Sequence, residues 1–562
     1  MWSRPSLPVI VTLAALVPGA VARAGEPVET ETETESATAA AAAEPSRAED
    51  RFVKGELIHV GTRELLSRYG HGGVRVGPHF LSRELYLGID PGFAIYPDRW
   101  GVSLHVPLNF RLAEAGFSAF GGFAVRTADW DEPADIARVI RFVSYGRHES
   151  SLYFSVSSLR PHTLGHGELI REYQPNIDLD RSMTGAVFEA YNRWGGVQLQ
   201  LNDITFTNRI FGALGFVKPL GMLEDPRLSS LSLGFEYAGD LRAPRCVQVS
   251  ESDRRCVPGS GNALGLDPAT GEPLDQTFVR TDLDLGRPVV EETDLHALGF
   301  SGEMRVYSGD RSDLKVFLTW HQFLTHGDGL AGGLSARITT GDAESIHAFR
   351  LKGEYRNFAT DFLPGYFDTY YEVTKFQYRV PRSRYQITPT KYQAVFGDPE
   401  NGFPIEDTAR RNGFRLEASW AYFERSRDNK KASFGLALED STARGDTNFY
   451  AHFELPFLGF VQAFGTFMRL NSDGLGGLFS HAADDIVILT GLRFQVLPIM
   501  FVNLSYTRSY QIVRSAGREL HLGNDRILDV AGQPSSFFVR DPIFENIQTL
   551  LVDIELGWES RE

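Results

Sequence analysis

The feature that most constrains this chain is an alternation. From about Glu84 onward, apolar residues recur at every second position in blocks of about ten, separated by turn residues. Val102, Leu104, Val106, Leu108, Phe110 and Leu112 alternate with Ser103, His105, Asn109 and Arg111. Leu298, Phe300, Met304 and Val306 alternate with Ser301, Glu303 and Arg305, and Phe414, Leu416, Ala418, Trp420 and Tyr422 with Arg415, Glu417 and Ser419. Successive side chains of a strand point to opposite faces, so each block makes a strand with one apolar and one polar face. Beyond the first 24 residues no apolar run is long enough to cross a bilayer as a helix. The chain is therefore expected to be all-β.

A soluble sandwich and a membrane barrel both give this pattern. Three features favour the barrel. The apolar faces end in aromatics (Phe110, Tyr237, Trp320, Tyr422, Tyr506 and Trp558), as interfacial girdles do. Tight links such as Pro97-Asp98-Arg99 and 308–312 trade places with long ones at 242–290, 359–410 and 515–542. The first 24 residues read as a cleaved secretory signal, with Arg4, an apolar stretch from Leu7 to Val17, and Ala22-Arg23-Ala24 before the cut. The expected organisation is a signal peptide (1–24), a disordered acidic and Ala-rich leader (25–50), a short periplasmic segment (51–83), and one antiparallel transmembrane β-barrel (84–562). About 18 strands are expected, within 16–20, because single-chain bacterial barrels have even counts.

The last strand adds a resemblance. Val552, Ile554, Leu556 and Trp558 alternate with Asp553, Glu555 and Gly557, which resembles the carboxyl-terminal targeting strand of bacterial outer-membrane barrels. It departs from that pattern in that Glu559-Ser560-Arg561-Glu562 follow the aromatic. The resemblance implies a porin-like protein of a Gram-negative outer membrane, surrounded by lipid and inserted by the barrel assembly machinery. It leaves the oligomeric state open.

Composition excludes one class. Formal net charge is −16, with no basic stretch, which is unsuited to nucleic acid. The two cysteines, Cys246 and Cys256, are expected to pair with each other in an exported chain. If the apolar face meets lipid, the other face lines the lumen. The densest charge there is Arg350, Lys352, Glu354 and Arg356 on one strand, with Glu303, Arg305, Arg415 and Glu417 on others. Such rows either set a transverse field that selects ions or brace the wall as salt bridges. His162, His166 and Glu168 carry metal-binding side chains, but a glycine-containing loop does not fix their geometry, and they read as ordinary loop residues with no metal expected. No motif marks an enzyme and no cofactor is expected. The expected function is porin-like passage of small hydrophilic solutes. The alternative is a surface adhesion or assembly barrel whose long outer loops bind a partner and plug the lumen.

Overall fold

The computed structural model describes residues 72–558, apart from connecting stretches of which the longest are 257–277, 379–388, 114–121, 479–485 and 513–519. Between 250 and 289, and again between 509 and 548, only backbone is described, and only in part. The expected signal peptide, the leader and residues 51–71 lie outside the described residues.

Twenty strands close into an antiparallel barrel. The first half comprises β1 (Gly72–Leu81), β2 (Glu84–Ile95), β3 (Trp100–His105 continued by Leu108–Ala113), β4 (Ile140–Tyr145), β5 (Leu152–Ser157), β6 (Gly185–Asn192), β7 (Gly195–Leu201), β8 (Ile210–Val217), β9 (Ser232–Val249) and β10 (Val290–Ser308). The second half comprises β11 (Ser312–Phe323), β12 (Asp328–Gly341), β13 (Ser345–Phe358), β14 (Arg411–Glu424), β15 (Lys430–Ser441), β16 (Thr447–Phe457), β17 (Val461–Ser472), β18 (Ile486–Leu497), β19 (Met500–Ile512) and β20 (Phe544–Trp558). Each strand pairs with its neighbours in sequence, and β20 returns to β1, with Trp558 opposite Gly72 and Leu550 opposite Phe80. Closure pairs every strand edge, which hydrocarbon surroundings require because they offer no water to unpaired backbone groups.

The barrel starts earlier than the alternation indicates. β1 falls inside the segment assigned to the periplasm, at 72 rather than 84. Gly72 and Pro78 thin its apolar face, Gly73 and Gly77 its inner one, and the strand signal weakens. Gly77 has a reason of its own: a Cβ there would sit inside the Val552 carbonyl, so the seam between β1 and β20 closes only over a bare backbone. The expected connection 242–290 also shrinks, because β9 continues to Val249. Its alternation is masked by register shifts around Ala243 and Pro244.

The faces are inverted relative to a water-soluble protein. Leu318 is 58% exposed and Tyr355 60%, and Leu233, Phe300, Leu334, Leu351 and Leu416 share that outer face. Arg415, Arg493, Glu236, Glu303 and Glu354 are buried on the inner one. A sandwich in water would place these sets the other way round. The outer face is therefore the lipid face, and Tyr237, Trp320, Tyr422 and Tyr506 stand on it at parities matching the alternation.

Connections alternate in length as expected. At the end that holds Gly72 and Trp558 they are mostly tight, as at 193–194, 309–311 and 342–344. At the far end they include 114–139, 158–184, 250–289, 359–410 and 513–543. Two of these fold into the lumen. Residues 162–176 and 359–376 meet in a short parallel ladder, Ile170 opposite Phe367 and Arg171 opposite Asp368. Together with the helix Lys391–Phe396, they bury Leu164, Leu169, Ile170, Tyr173, Phe362, Tyr366, Phe367, Tyr371, Val395 and Phe396. The wall supplies Ile210, Leu214, Ala238, Leu295, Ala297, Phe323 and Phe358 to that core. A third connection lies against β3, where Asp129 accepts from Asn109 at 2.9 Å and pairs with Arg126 and Arg138. The lumen thus holds a folded plug made from the barrel's own connections. Lumens widen with strand number, and 20 strands lie between open porins and the plugged barrels of 22.

Candidate functional site: a charged cradle between wall and plug

The plug meets two kinds of wall. Toward β8–β13 the contact is apolar. Gly212 shows its closeness, since a Cβ there would meet the Ile170 side chain at 2.4 Å. Toward β13–β15 the contact is ionic, and most of the charged residues singled out from the sequence gather there.

On β13, Glu354 pairs with Lys352 at 2.7 Å and with Arg356 on its other side. Cross-strand register sets Glu354 opposite Arg415 and Lys352 opposite Glu417, and Arg415 pairs with Glu417 along β14. Arg350 continues the same face, half-buried, opposite Ser419 and Arg337. Glu303 and Arg305 form a separate group on β10, where Glu303 pairs with Lys315 of β11 at 3.3 Å.

Glu439 on β15 joins wall to plug. One of its carboxylate oxygens accepts from three guanidinium groups: Arg171 of the plug at 2.9 Å, Arg356 at 3.1 Å and Arg415 at 3.0 Å. The other accepts from the Asn448 amide at 2.9 Å and the Tyr450 hydroxyl at 2.8 Å. Arg171 is held from behind. Its Nε donates to the Gly167 carbonyl, and its guanidinium lies over Gly365, where φ is +68° and a Cβ would collide with it. Charge-assisted bonds of this kind are roughly twice as strong as neutral ones, and a planar guanidinium fixes their direction.

His162, His166 and Glu168 lie in the plug, buried, and point to three different places. His162 Nδ1 is 2.8 Å from the Gln200 side-chain oxygen, with Glu189 beyond its Nε2. His166 stacks on Phe317 and faces Glu303 at 3.6 Å, while its carbonyl accepts from Lys352. Glu168 lies 3.7 Å from Arg356. They do not converge on a common point. Instead, His166 links the β10 charge group to that on β13. Burial, and then the Lys352 ammonium, holds the His166 imidazole well below its ordinary pKa, and burial beside Glu354 pushes the Glu168 carboxyl up.

Arg171 stands in no alternating block, so the period of two does not single it out. The connection around it did carry a signal: Leu164, Leu169, Ile170 and Tyr173 are apolar residues that an exposed loop would have no use for. The disulfide expectation stays half outside the described residues. The backbone of Cys256 pairs with that of Gln248, two residues beyond Cys246, but its side chain is not described.

Closed strand pairing and the inverted faces make the chain a transmembrane β-barrel protein. No protein-family model matches it, and no curated protein does. Solved structures of similar architecture include three barrels. A ferric enterobactin receptor of Pseudomonas aeruginosa is 9% identical, with a TM-score of 0.34, over 87% of this chain and 80% of that one. Wzi, an outer-membrane protein involved in group 1 capsule assembly in Escherichia coli and described as a carbohydrate-binding β-barrel, is 11% identical. Its TM-score is 0.29, over 88% of this chain and 86% of that one. The outer-membrane protein opdK of Pseudomonas aeruginosa is 8% identical, with a TM-score of 0.26, over 86% and 97%.

Proposed function

We propose that the barrel is a channel for small hydrophilic solutes whose bore is restricted by its own inward-folded connections. The observation that carries this reading is the Glu439 cluster, where the plug is tied to the β13–β15 wall by ion pairs rather than by apolar packing. An ion-paired seam can be re-paired by an entering solute ion or by water, as an apolar seam cannot, so it is the side on which a passage opens. The test is single-channel conductance in planar bilayers, once heat-modifiable gel mobility has established that the barrel is folded. The full chain is expected to give small steps, and a variant lacking 162–176 larger ones that scale with salt. Folded protein that stays silent in both forms overturns the channel reading.

The second reading is a surface adhesion or assembly barrel, and a separate observation favours it. β9 and β10 have 18 and 19 residues, far more than the roughly 10 a tilted strand needs to cross a bilayer. Their paired ends project beyond the lipid. There the backbone of 278–279 pairs with Val249 and with Leu520–His521, so two connections share one outer sheet. Deleting 257–277 would abolish partner binding on this reading and leave the barrel folded.

A further inference from the structure

We propose that the guanidinium cluster of Arg171, Arg356 and Arg415 is a binding site for small organic carboxylates, which Glu439 occupies as an internal ligand until a solute carboxylate replaces it. The inference rests on the channel reading for its place in a passage, though not for the binding itself.

Three features point to a ligand site rather than a simple brace. The first is stoichiometry. Three guanidinium groups share one carboxylate oxygen, an arrangement that one structural ion pair does not need. The second is how each arginine is otherwise satisfied. Arg356 keeps Glu354 and Arg415 keeps Glu417 when Glu439 leaves, whereas Glu439 is the sole carboxylate within ion-pair distance of Arg171 among the described residues. One further nitrogen of Arg171, Nη2, is buried with no hydrogen-bond partner. Arg171 is therefore the group with unused capacity, and a carboxylate whose two oxygens both face it would fill that capacity as Glu439, bound through one oxygen, does not. The third is access. The Glu439 side chain is 12% exposed while those of Arg171 and Arg356 are 5% and that of Arg415 1%. The anion is the least enclosed member of the cluster, so it is the partner an incoming carboxylate reaches most readily.

Replacement has a mechanical consequence. Glu439 is the wall's ion-pair partner for Arg171, and Arg171 packs on Gly365 of the other plug segment. A solute carboxylate that takes Glu439's place neutralises Arg171 without tying it to β15. The plug then stays attached through its apolar contact with β8–β13, through Glu168 beside Arg356 and through Lys352 on the His166 carbonyl, and loses the Arg171 tie to β15.

The experiment uses the full chain refolded in detergent micelles. Sodium propionate is titrated against sodium chloride at equal ionic strength. Glu439→Gln keeps the shape of the side chain and removes its charge, so propionate is expected to bind this variant about tenfold more tightly than the wild type, from which Glu439 must first be displaced. Arg171→Gln placed in the Glu439→Gln background should lose the binding. In the wild type, propionate but not chloride should raise amide hydrogen exchange within 162–176. If propionate and chloride act alike on the folded variants, the proposal is overturned. If Glu439→Gln does not fold, unchanged exchange in the wild type overturns it by itself. A barrel that binds propionate yet never conducts would refute the channel reading and leave the carboxylate site standing.

Discussion

Phe323→Ala should release the plug without opening the barrel wall. Phe323 ends β11 and is wholly buried, and its ring meets three aromatic rings of the 359–410 connection. These are Phe362 at 5.4 Å between centroids, Tyr366 at 5.3 Å and Phe396 at 5.0 Å. Truncating a buried Phe to Ala costs about 3–5 kcal/mol in a packed core, and each aromatic pair contributes about 0.5–1.5 kcal/mol beyond its buried area. The backbone pairing of β11 with β10 and β12 does not pass through the side chain. Most of the loss therefore falls on docking of the plug. Part of the ring's packing is against the wall itself and is lost equally from the undocked state, so the lower end of the range applies. About 3 kcal/mol corresponds to a shift of roughly a hundredfold or more in the docking equilibrium. Hydrogen exchange resolved by segment is the assay, since local opening sets exchange where it is cheaper than global unfolding. Amides of 162–176 and 359–376 should exchange about a hundredfold faster, with β10–β13 unchanged. A rise of less than about threefold, or equal loosening of the strands, would show that the plug does not open as a unit separate from the wall.

Three further outcomes follow from the same geometry. Leu351→Arg puts a charge midway along the lipid face of β13 and should cost about 2–4 kcal/mol in urea titrations of protein folded into vesicles. A cost within about 0.5 kcal/mol, as on a water-facing surface, would sink the lipid assignment. Because His166 is held below its ordinary pKa of 6.5, the docked plug binds fewer protons there than the undocked one. Docking should therefore be strongest above that value and weaken as pH falls through it, by at most about 1.4 kcal/mol per pH unit, read again by exchange of 162–176. His166→Gln should remove that component, and an unchanged pH profile would assign it elsewhere. Glu168, raised above its ordinary value, acts with the opposite sign, so comparison with this variant isolates the imidazole. Finally, alkylation before reduction should label neither Cys246 nor Cys256. Cleaving the bond should cost about 2–3 kcal/mol at most, and labelling of either residue in the native protein would rule the pairing out.

Which of these features a sequence can reveal is decided by distance along the chain. The faces of β10, β11, β13 and β14 were legible because the period of two is local: Leu298, Phe300 and Met304 fix their own parity whatever they pair with. β1 was not, since Gly72 and Pro78 interrupt its lipid face and Gly77 serves the seam with β20. The charges on β13 and β14 were recognised as lumen-facing, but what they do there depends on Glu439 of β15, whose partner in the plug, Arg171, is 268 residues away. Alternation gives no register across such a span. It also cannot tell an inward-facing charge that meets water from one that meets a plug. That distinction follows from the wall's composition at the far end of β8–β13, where Ile210, Leu214, Ala238, Leu295, Phe323 and Phe358 put apolar side chains on what should be a polar face. A lumen wall wetted by water has no use for these residues, so their presence implies something apolar inside. The opposite wall keeps its charges. A plug fixed to one wall mainly by apolar burial, and to the other by ion pairs beside the contact of Tyr370 with Met468 and Val487, is under no symmetric restraint. A small anion that competes for Arg171 can loosen that side while the apolar wall holds the plug in the barrel, which makes the β13–β15 face the one where permeation and binding should be sought together.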